Sequence, residues 1–147
     1  MRPPERTDQS AWRNLWNQYL VFYETEVDGT VTDALWQRLM DPAHPIQGRV
    51  AEVADEVVGI VHYFAHSDTW DPRSRCYLQD LFVDPAVRGR GVGRGLIGAV
   101  VEHARREEWS GVYWHTAEDN DVARRLYDMV TGGASGFIVY EIGLDEA

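Results

Sequence analysis

Between Arg88 and Gly95 arginine and glycine alternate: Arg88-Gly89-Arg90-Gly91-Val92-Gly93-Arg94-Gly95. Glycine lets a chain approach a ligand closely and take positive φ, so such a loop can turn several backbone N–H groups around an anion. An amphipathic helix begins directly behind it and adds unsatisfied donors and the positive end of its dipole. A knot of arginines is out of character in a chain of net charge −10. Its simplest cause is a bound polyphosphate. Just upstream, Gln79 and Asp80 interrupt the otherwise apolar run Tyr77-Leu78-Gln79-Asp80-Leu81-Phe82-Val83. Asp80 could hold a cationic amine, accept its proton, or merely cap a neighbouring loop. Glu24 and Glu26 could line a pocket for a cation or stand in solvent. Tyr127 shares an apolar helical face with Ala123, Leu126 and Val130, where a packed tyrosine is the plain reading.

These groups need elements to hold them. Trp12, Leu15, Trp16, Tyr19, Leu20 and Tyr23 recur at spacings of three and four, which predicts a first helix starting after Thr7 or Asp8. Thr30 with Asp33 resembles a capping box opening a second helix that stops before Pro42. Residues 49–54 and 57–64 predict a hairpin, turning at Asp55-Glu56. Residues 76–83 read as a strand and 93–107 as a helix with Leu96, Ile97, Val100, Val101 and Ala104 inward. Gly95 and Gly98 are expected to let that helix pack closely on the sheet. Val112–Thr116 predicts another strand, Asn120 onward a helix, and Phe137–Leu144 a closing strand. The strand–helix–strand over residues 76–116 predicts a parallel crossover inside an α/β sandwich.

The 147 residues suit one domain, residues 1–147. No apolar run approaches the ~18 residues of a membrane span, and the N-terminus lacks a secretory pattern, so a cytoplasmic protein with no membrane partner is expected. Cys76 is the only cysteine, which excludes an internal disulfide and a cysteine-based metal cluster. The five histidines show no two-ligand spacing, so no metal is expected. A pI near 4.8 disfavours nucleic acid as a partner and suits a cationic substrate. Gly93-Arg94-Gly95-Leu96-Ile97-Gly98 also satisfies a dinucleotide fingerprint, with Glu118 downstream. That fingerprint needs its first glycine directly after the strand, and Asp84-Pro85 intervenes.

Arg88-Gly89-Arg90-Gly91-Val92-Gly93 fits Arg/Gln-x-x-Gly-x-Gly/Ala and resembles the pyrophosphate-binding signature of the GNAT superfamily of N-acetyltransferases. The preceding strand, running into Asp84-Pro85, matches as well. Asn120-Asp121-Val122-Ala123-Arg124-Arg125-Leu126-Tyr127 is similar to the family's Asn-x-x-Ala-x-x-x-Tyr helix. The resemblance spans residues 50 to 144. Tyr77–Val83 and Ser135–Tyr140 look most like the branch of diamine (polyamine) and histone/polyamine acetyltransferases, although Gln79 stands where that branch commonly has glutamate. The resemblance implies a mixed, mostly antiparallel sheet flanked by helices and a bulge near Asp80. It implies acetyl-CoA as co-substrate, its diphosphate on the backbone of Arg88, Gly89, Arg90, Gly91, Val92 and Gly93, with Arg88, Arg90 or Arg94 neutralising charge. Pantetheine would pair with Leu81, Phe82 and Val83 and meet Asn120. Tyr127 would be the general acid and Asp80 the candidate base for a small polyamine- or diamine-like amine. Alternatives are a protein lysine or N-terminal acetyltransferase and a non-catalytic acyl-CoA-binding module. A homodimer is expected, through the aromatic first helices or the C-terminal strand.

Overall fold

The computed structural model describes residues 1–145, which fall into two compact units, Met1–His115 and the residues from Thr116 onward. In the first unit Arg2 makes a two-way antiparallel bridge with Val50, N–H to O at 3.1 and 2.8 Å. Its guanidinium grips both oxygens of Asp8 at 2.7 and 3.0 Å and reaches Glu52 at 2.6 Å. Those bonds hold the Asp8 carboxyl below its usual range. Asp8 therefore does not cap helix α1 (Gln9–Phe22) with its side chain; it closes a preceding 3-10 turn, Arg6–Asp8, by accepting the Glu5 N–H at 2.7 Å. Helix α2 (Gly29–Met40) is capped by Asp28, which accepts Thr30 N–H and Oγ1–H, so Thr30 is a donor at this cap and not the cap itself. Asp33 pairs instead with Arg13 of α1 at 2.6 Å.

Four strands follow: β1 (Gln47–Val53), β2 (Glu56–His66), β3 (Arg75–Val83) and β4 (Val112–Tyr113), with α3 (Val92–Arg106) between the last two. They lie in the order β1-β2-β3-β4, antiparallel except for the parallel β3–β4 pair. The hairpin turns at Ala54 and Asp55, both at positive φ (51° and 65°), which matches the right-handed twist of the flanking strands. On one face Trp12, Leu15 and Trp16 of α1 and Trp36 of α2 pack on Val50, Ile60 and Phe82. Trp12 and Trp16 stack at 6.1 Å, and Trp12 meets Trp36 at 5.0 Å. The other face carries Tyr63, Cys76 and Leu78 with Leu96, Ile97, Val100 and Ala104 of α3, all buried. Burial pushes the Cys76 thiol up to about 12, consistent with a small apolar packer.

The glycine that lets α3 approach is Gly59 on β2, where an added Cβ would stand 3.0 Å from Leu96 and 3.1 Å from Val92. Gly98 faces open space, and Gly95 meets only the flexible end of Met1. The expectation for these two helical glycines is thus moved to the strand beneath them.

Beneath α3, the Tyr63 hydroxyl lies 2.7 Å and the Arg49 guanidinium 3.5 Å from the same nitrogen, His103 Nδ1. Arginine only donates, so Nδ1 accepts, and the ring proton sits on Nε2 facing Glu107. Burial and the Arg49 charge lower the His103 pKa. An unfolded histidine protonates near 6.5, and the native ring resists that proton. Its contribution to stability is therefore complete above about pH 6.5 and is lost as pH falls below it. Thermal melts from pH 7.5 to 5 should show the midpoint dropping through this window, with a shallower drop for His103→Gln.

The second unit contains α4 (Asp121–Thr131), capped by the Asn120 carbonyl on Ala123 N–H at 3.4 Å and ended by Gly132 at φ 88°. Residues 137–144 form no strand, contrary to expectation: Phe137, Ile138, Tyr140, Ile142 and Leu144 are largely exposed. A strand requires a partner ladder, and this unit offers no second extended segment among the described residues. Strand β4 likewise ends at Tyr113, short of the predicted Thr116. No helix among the described residues is long and apolar enough to cross a membrane.

Candidate active site

Gly89 and Gly91 both lie in the left-handed region, φ 81° and 80°, with Arg90 at negative φ between them. That alternation curls successive N–H groups toward one side, the geometry of an anion nest. Gly91 is the N-cap of α3, and no side chain caps this end. The first-turn donors of a fifteen-residue helix therefore open onto the same nest. A Cβ at Gly89 or Gly91 would meet nothing within 4 Å, so no other group crowds these two positions. Arg90 and Arg94 are exposed there. Arg88 differs: its Nε bonds Val83 O at 3.1 Å and its guanidinium lies 5.4 Å over the Phe82 ring.

The strand feeding this loop has an open edge. Strand β3 meets β4 only at Cys76↔Val112 and Tyr77↔Tyr113. Asp84 N–H bonds Val58 O of β2 at 2.8 Å. By the alternation of an antiparallel ladder, Phe82 then also addresses β2, while Leu81 and Val83 turn their amides to the other side. Within the first unit no strand stands there. With Val83 O taken by Arg88, the Leu81 N–H and C=O and the Val83 N–H remain, the hydrogen-bonding row of an edge strand.

Asp80 reaches its position through a bulge. His62 pairs with Asp80 and Tyr63 with Leu78, leaving Gln79 as the extra, exposed residue. In an unbroken strand Leu78 and Asp80 would share a face. The bulge leaves Leu78 on the α3 side and swings Asp80 to the α1 side beside His62. There Tyr19 O–H donates to Asp80 Oδ1 at 2.7 Å, and His62 Nδ1 lies 3.0 Å from Oδ2. Trp12 Nε1–H donates to His62 Nε2 at 3.0 Å. Both Asp80 oxygens thus accept, the pattern of an ionised carboxylate. Burial first, then the Asp80 charge, raises the pKa of both Tyr19 and Tyr23. Aromatic rings wall this side: Tyr19 lies 4.9 Å from Tyr23, and Tyr77 5.1 Å from both Tyr113 and His115.

The first unit therefore brings together Asp80, Leu81–Val83 and the Arg88–Arg94 loop in chain order. Asn120 and Tyr127 belong to the second unit; Asn120 Oδ1 caps α4, and Tyr127 is half-buried, its carbonyl accepting from Thr131. Glu24 and Glu26 are exposed beyond α1. Sequence reasoning missed His62, whose one signal was a polar ring inside an apolar strand. Among the described residues no three His, Cys, Asp or Glu side chains could share a metal ion. A cleft of about 670 Å³ between Arg73, Ser74, Arg105, Glu107, Glu108 and Trp109 lies at the far end of α3, about 20 Å along the helix from the nest.

The comparisons with known proteins agree with this geometry. The model of the acetyltransferase (GNAT) family matches residues 9–132. A D-amino-acid N-acetyltransferase of Saccharomyces cerevisiae is 34% identical over 129 residues, 86% of this chain and 80% of the relative. A probable acetyltransferase of known structure superposes with a TM-score of 0.83 at 18% identity, covering 98% of this chain and 97% of that one. An aminoglycoside N-acetyltransferase in complex with CoA does so with 0.82 at 17% identity, covering 97% and 92%. The chain belongs to the GNAT family of acetyltransferases and is an acetyl-CoA-dependent N-acetyltransferase.

Proposed function

We propose that the chain acetylates a small primary amine by direct attack on acetyl-CoA within a ternary complex. One observation carries the reading: the Asp80 carboxylate, the open edge of β3 at Leu81–Val83 and the nest at residues 88–94 follow in chain order, with only the short turn at residues 84–87 between edge and nest. A donor whose diphosphate occupies the nest and whose pantetheine lies along the edge ends beside Asp80. Arg90 and Arg94 neutralise the diphosphate, while Arg88 orders the edge. Asn120 keeps the role that the family resemblance implies for it, an anchor for the pantetheine. An alkylamine has a pKa near that of lysine, about 10, and arrives protonated. Asp80 holds the ammonium and takes one proton; the nitrogen forms its bond to the acyl carbon as the carbon–sulfur bond breaks. An edge N–H holds the developing oxyanion, a contact worth ~3 kcal/mol in other enzymes. The departing thiolate takes a proton from Tyr127, and the second proton of the nitrogen restores that phenol through solvent.

A diamine or polyamine acceptor is one reading, with Asp80 receiving the ammonium. A second, a free amino acid, is favoured by the yeast relative that shares 34% identity and is a D-amino-acid N-acetyltransferase. CoA-thiol release, measured in turn with spermidine, a short diamine, D- and L-amino acids, an aminoglycoside and a lysine peptide, separates these readings. Release is expected with a free small amine and suppressed turnover, at unchanged acetyl-CoA affinity, in Tyr127→Phe. Binding of acetyl-CoA with no release from any amine would instead make the chain a non-catalytic module. The exposed apolar side chains of residues 137–144 support a homodimer that covers them, which light scattering would detect as twice the chain mass.

A further inference from the structure

The pair of half-buried Asp80 and buried His62 extends the site inward, to Trp12 on the far side of the imidazole. The His62 side chain is only 3% exposed and that of Asp80 13%. An indole N–H can only donate, so the bond from Trp12 makes His62 Nε2 an acceptor. The single ring proton must then reside on Nδ1, which points at Asp80 Oδ2. We infer that His62 is the positioning residue for the amine end of the reaction: Trp12 fixes its tautomer, and its Nδ1–H fixes the carboxylate that receives the substrate proton. This rests on the reading of Asp80 as the group that meets the amine.

The bulge explains why such a device is needed. A residue beside an extra, unpaired position has lost part of its ladder, and a short carboxylate there has rotameric freedom. Two donors, the half-buried Tyr19 O–H from α1 and the buried His62 Nδ1–H from β2, converge on it from different elements and remove that freedom. The imidazole is itself boxed in by Trp12 and Trp16, with ring centroids at 5.9 and 5.4 Å. The titratable groups coupled to Asp80 are Tyr19 of α1 and Tyr23 at the end of that helix, with Tyr77 of β3 acting on Tyr19. Losing the Trp12 donor would free Nε2 to carry the ring proton, and Nδ1 would then face the carboxylate as an acceptor with no proton to give it.

The test uses the whole chain, acetyl-CoA and the best amine from the acceptor panel. His62→Leu removes the donor and should lower kcat/KM for the amine about 10- to 100-fold, with acetyl-CoA affinity by calorimetry unchanged. His62→Asn places an amide N–H where Nδ1–H stood and should recover most of that loss. Trp12→Phe should release the tautomer, so that part of the ring carries its proton on Nε2 in nitrogen-15 spectra, and should lower kcat/KM for the amine with acetyl-CoA affinity unchanged. Nitrogen-15 spectra of the wild-type ring should show a protonated Nδ1 and a bare Nε2, independently of how any variant folds. An Asn variant no better than Leu, a Trp12→Phe ring still protonated on Nδ1 alone, or a wild-type ring protonated on Nε2 would overturn the inference. A His62→Leu enzyme of normal activity beside an inactive Asp80→Asn would sink this proposal alone; a normal Asp80→Asn would sink the reading beneath it.

Discussion

Gly91→Val should weaken acetyl-CoA binding by about 100-fold or more while leaving the chain folded. Two effects add at this position. Gly91 is at φ 80° and ψ 10°, where a residue with a Cβ costs roughly 1–2 kcal/mol, and a β-branched one resists most. A valine that relaxes to negative φ turns its own N–H, and that of Val92, out of the nest. A valine that stays projects its methyl groups into the empty space above the loop, where nothing lies within 4 Å. In either case the diphosphate loses about two charge-assisted hydrogen bonds, each worth roughly 1.5–3 kcal/mol, and every 1.4 kcal/mol is about tenfold in affinity. Calorimetric titration of acetyl-CoA reads the loss, and a thermal melt reads the strain. Gly98→Val, on the exposed face of the same helix, is the control and should bind the donor normally. An unchanged dissociation constant for Gly91→Val would show that the diphosphate lies elsewhere.

What the sequence made legible follows the range of the interactions involved. The nest was visible because both its glycines and the helix behind it are contiguous in the chain, and local chemistry dictates the local shape. The apolar stripe of α1 was visible for the same reason, Trp12, Leu15, Trp16 and Tyr19 repeating every three or four residues. The bulge was not readable from alternation: Cys76, Leu78, Asp80 and Phe82 keep a strict period of two straight through it. It exists only as a mismatch with β2, where His62 meets Asp80 and Tyr63 meets Leu78. His62 escaped notice because its donor, Trp12, lies 50 positions away, and no local pattern couples them. The closing segment Phe137–Leu144 has the composition of a strand, but composition supplies propensity, not a neighbour. Thr30 failed as a cap because Asp28, two residues earlier, offered a carboxylate that could accept both its N–H and its hydroxyl proton.

Asp80→Asn should lower kcat/KM for the amine by about 10² to 10⁴, the usual range for removing a positioned acid–base group, with acetyl-CoA affinity unchanged. The amide keeps the shape of the side chain and can still accept from Tyr19. It carries no charge for an ammonium and takes no proton. Its nitrogen, turned toward His62 Nδ1–H, would oppose one donor with another, so the side chain must either rotate or give up a bond. The pH dependence separates a lost base from a lost structural contact. Without the carboxylate the reaction depends on the small fraction of amine already neutral, which grows tenfold per pH unit up to a pKa near 10. The activity of the variant should therefore climb with a slope of about one across the pH range in which the wild type has levelled, and the deficit should shrink as pH rises. A purely structural loss would keep the two profiles parallel and lower the melting temperature instead. Equal activity of the two proteins at neutral pH would leave the aspartate an anchor for Tyr19 and His62 at the bulge, and the proton acceptor would be another group.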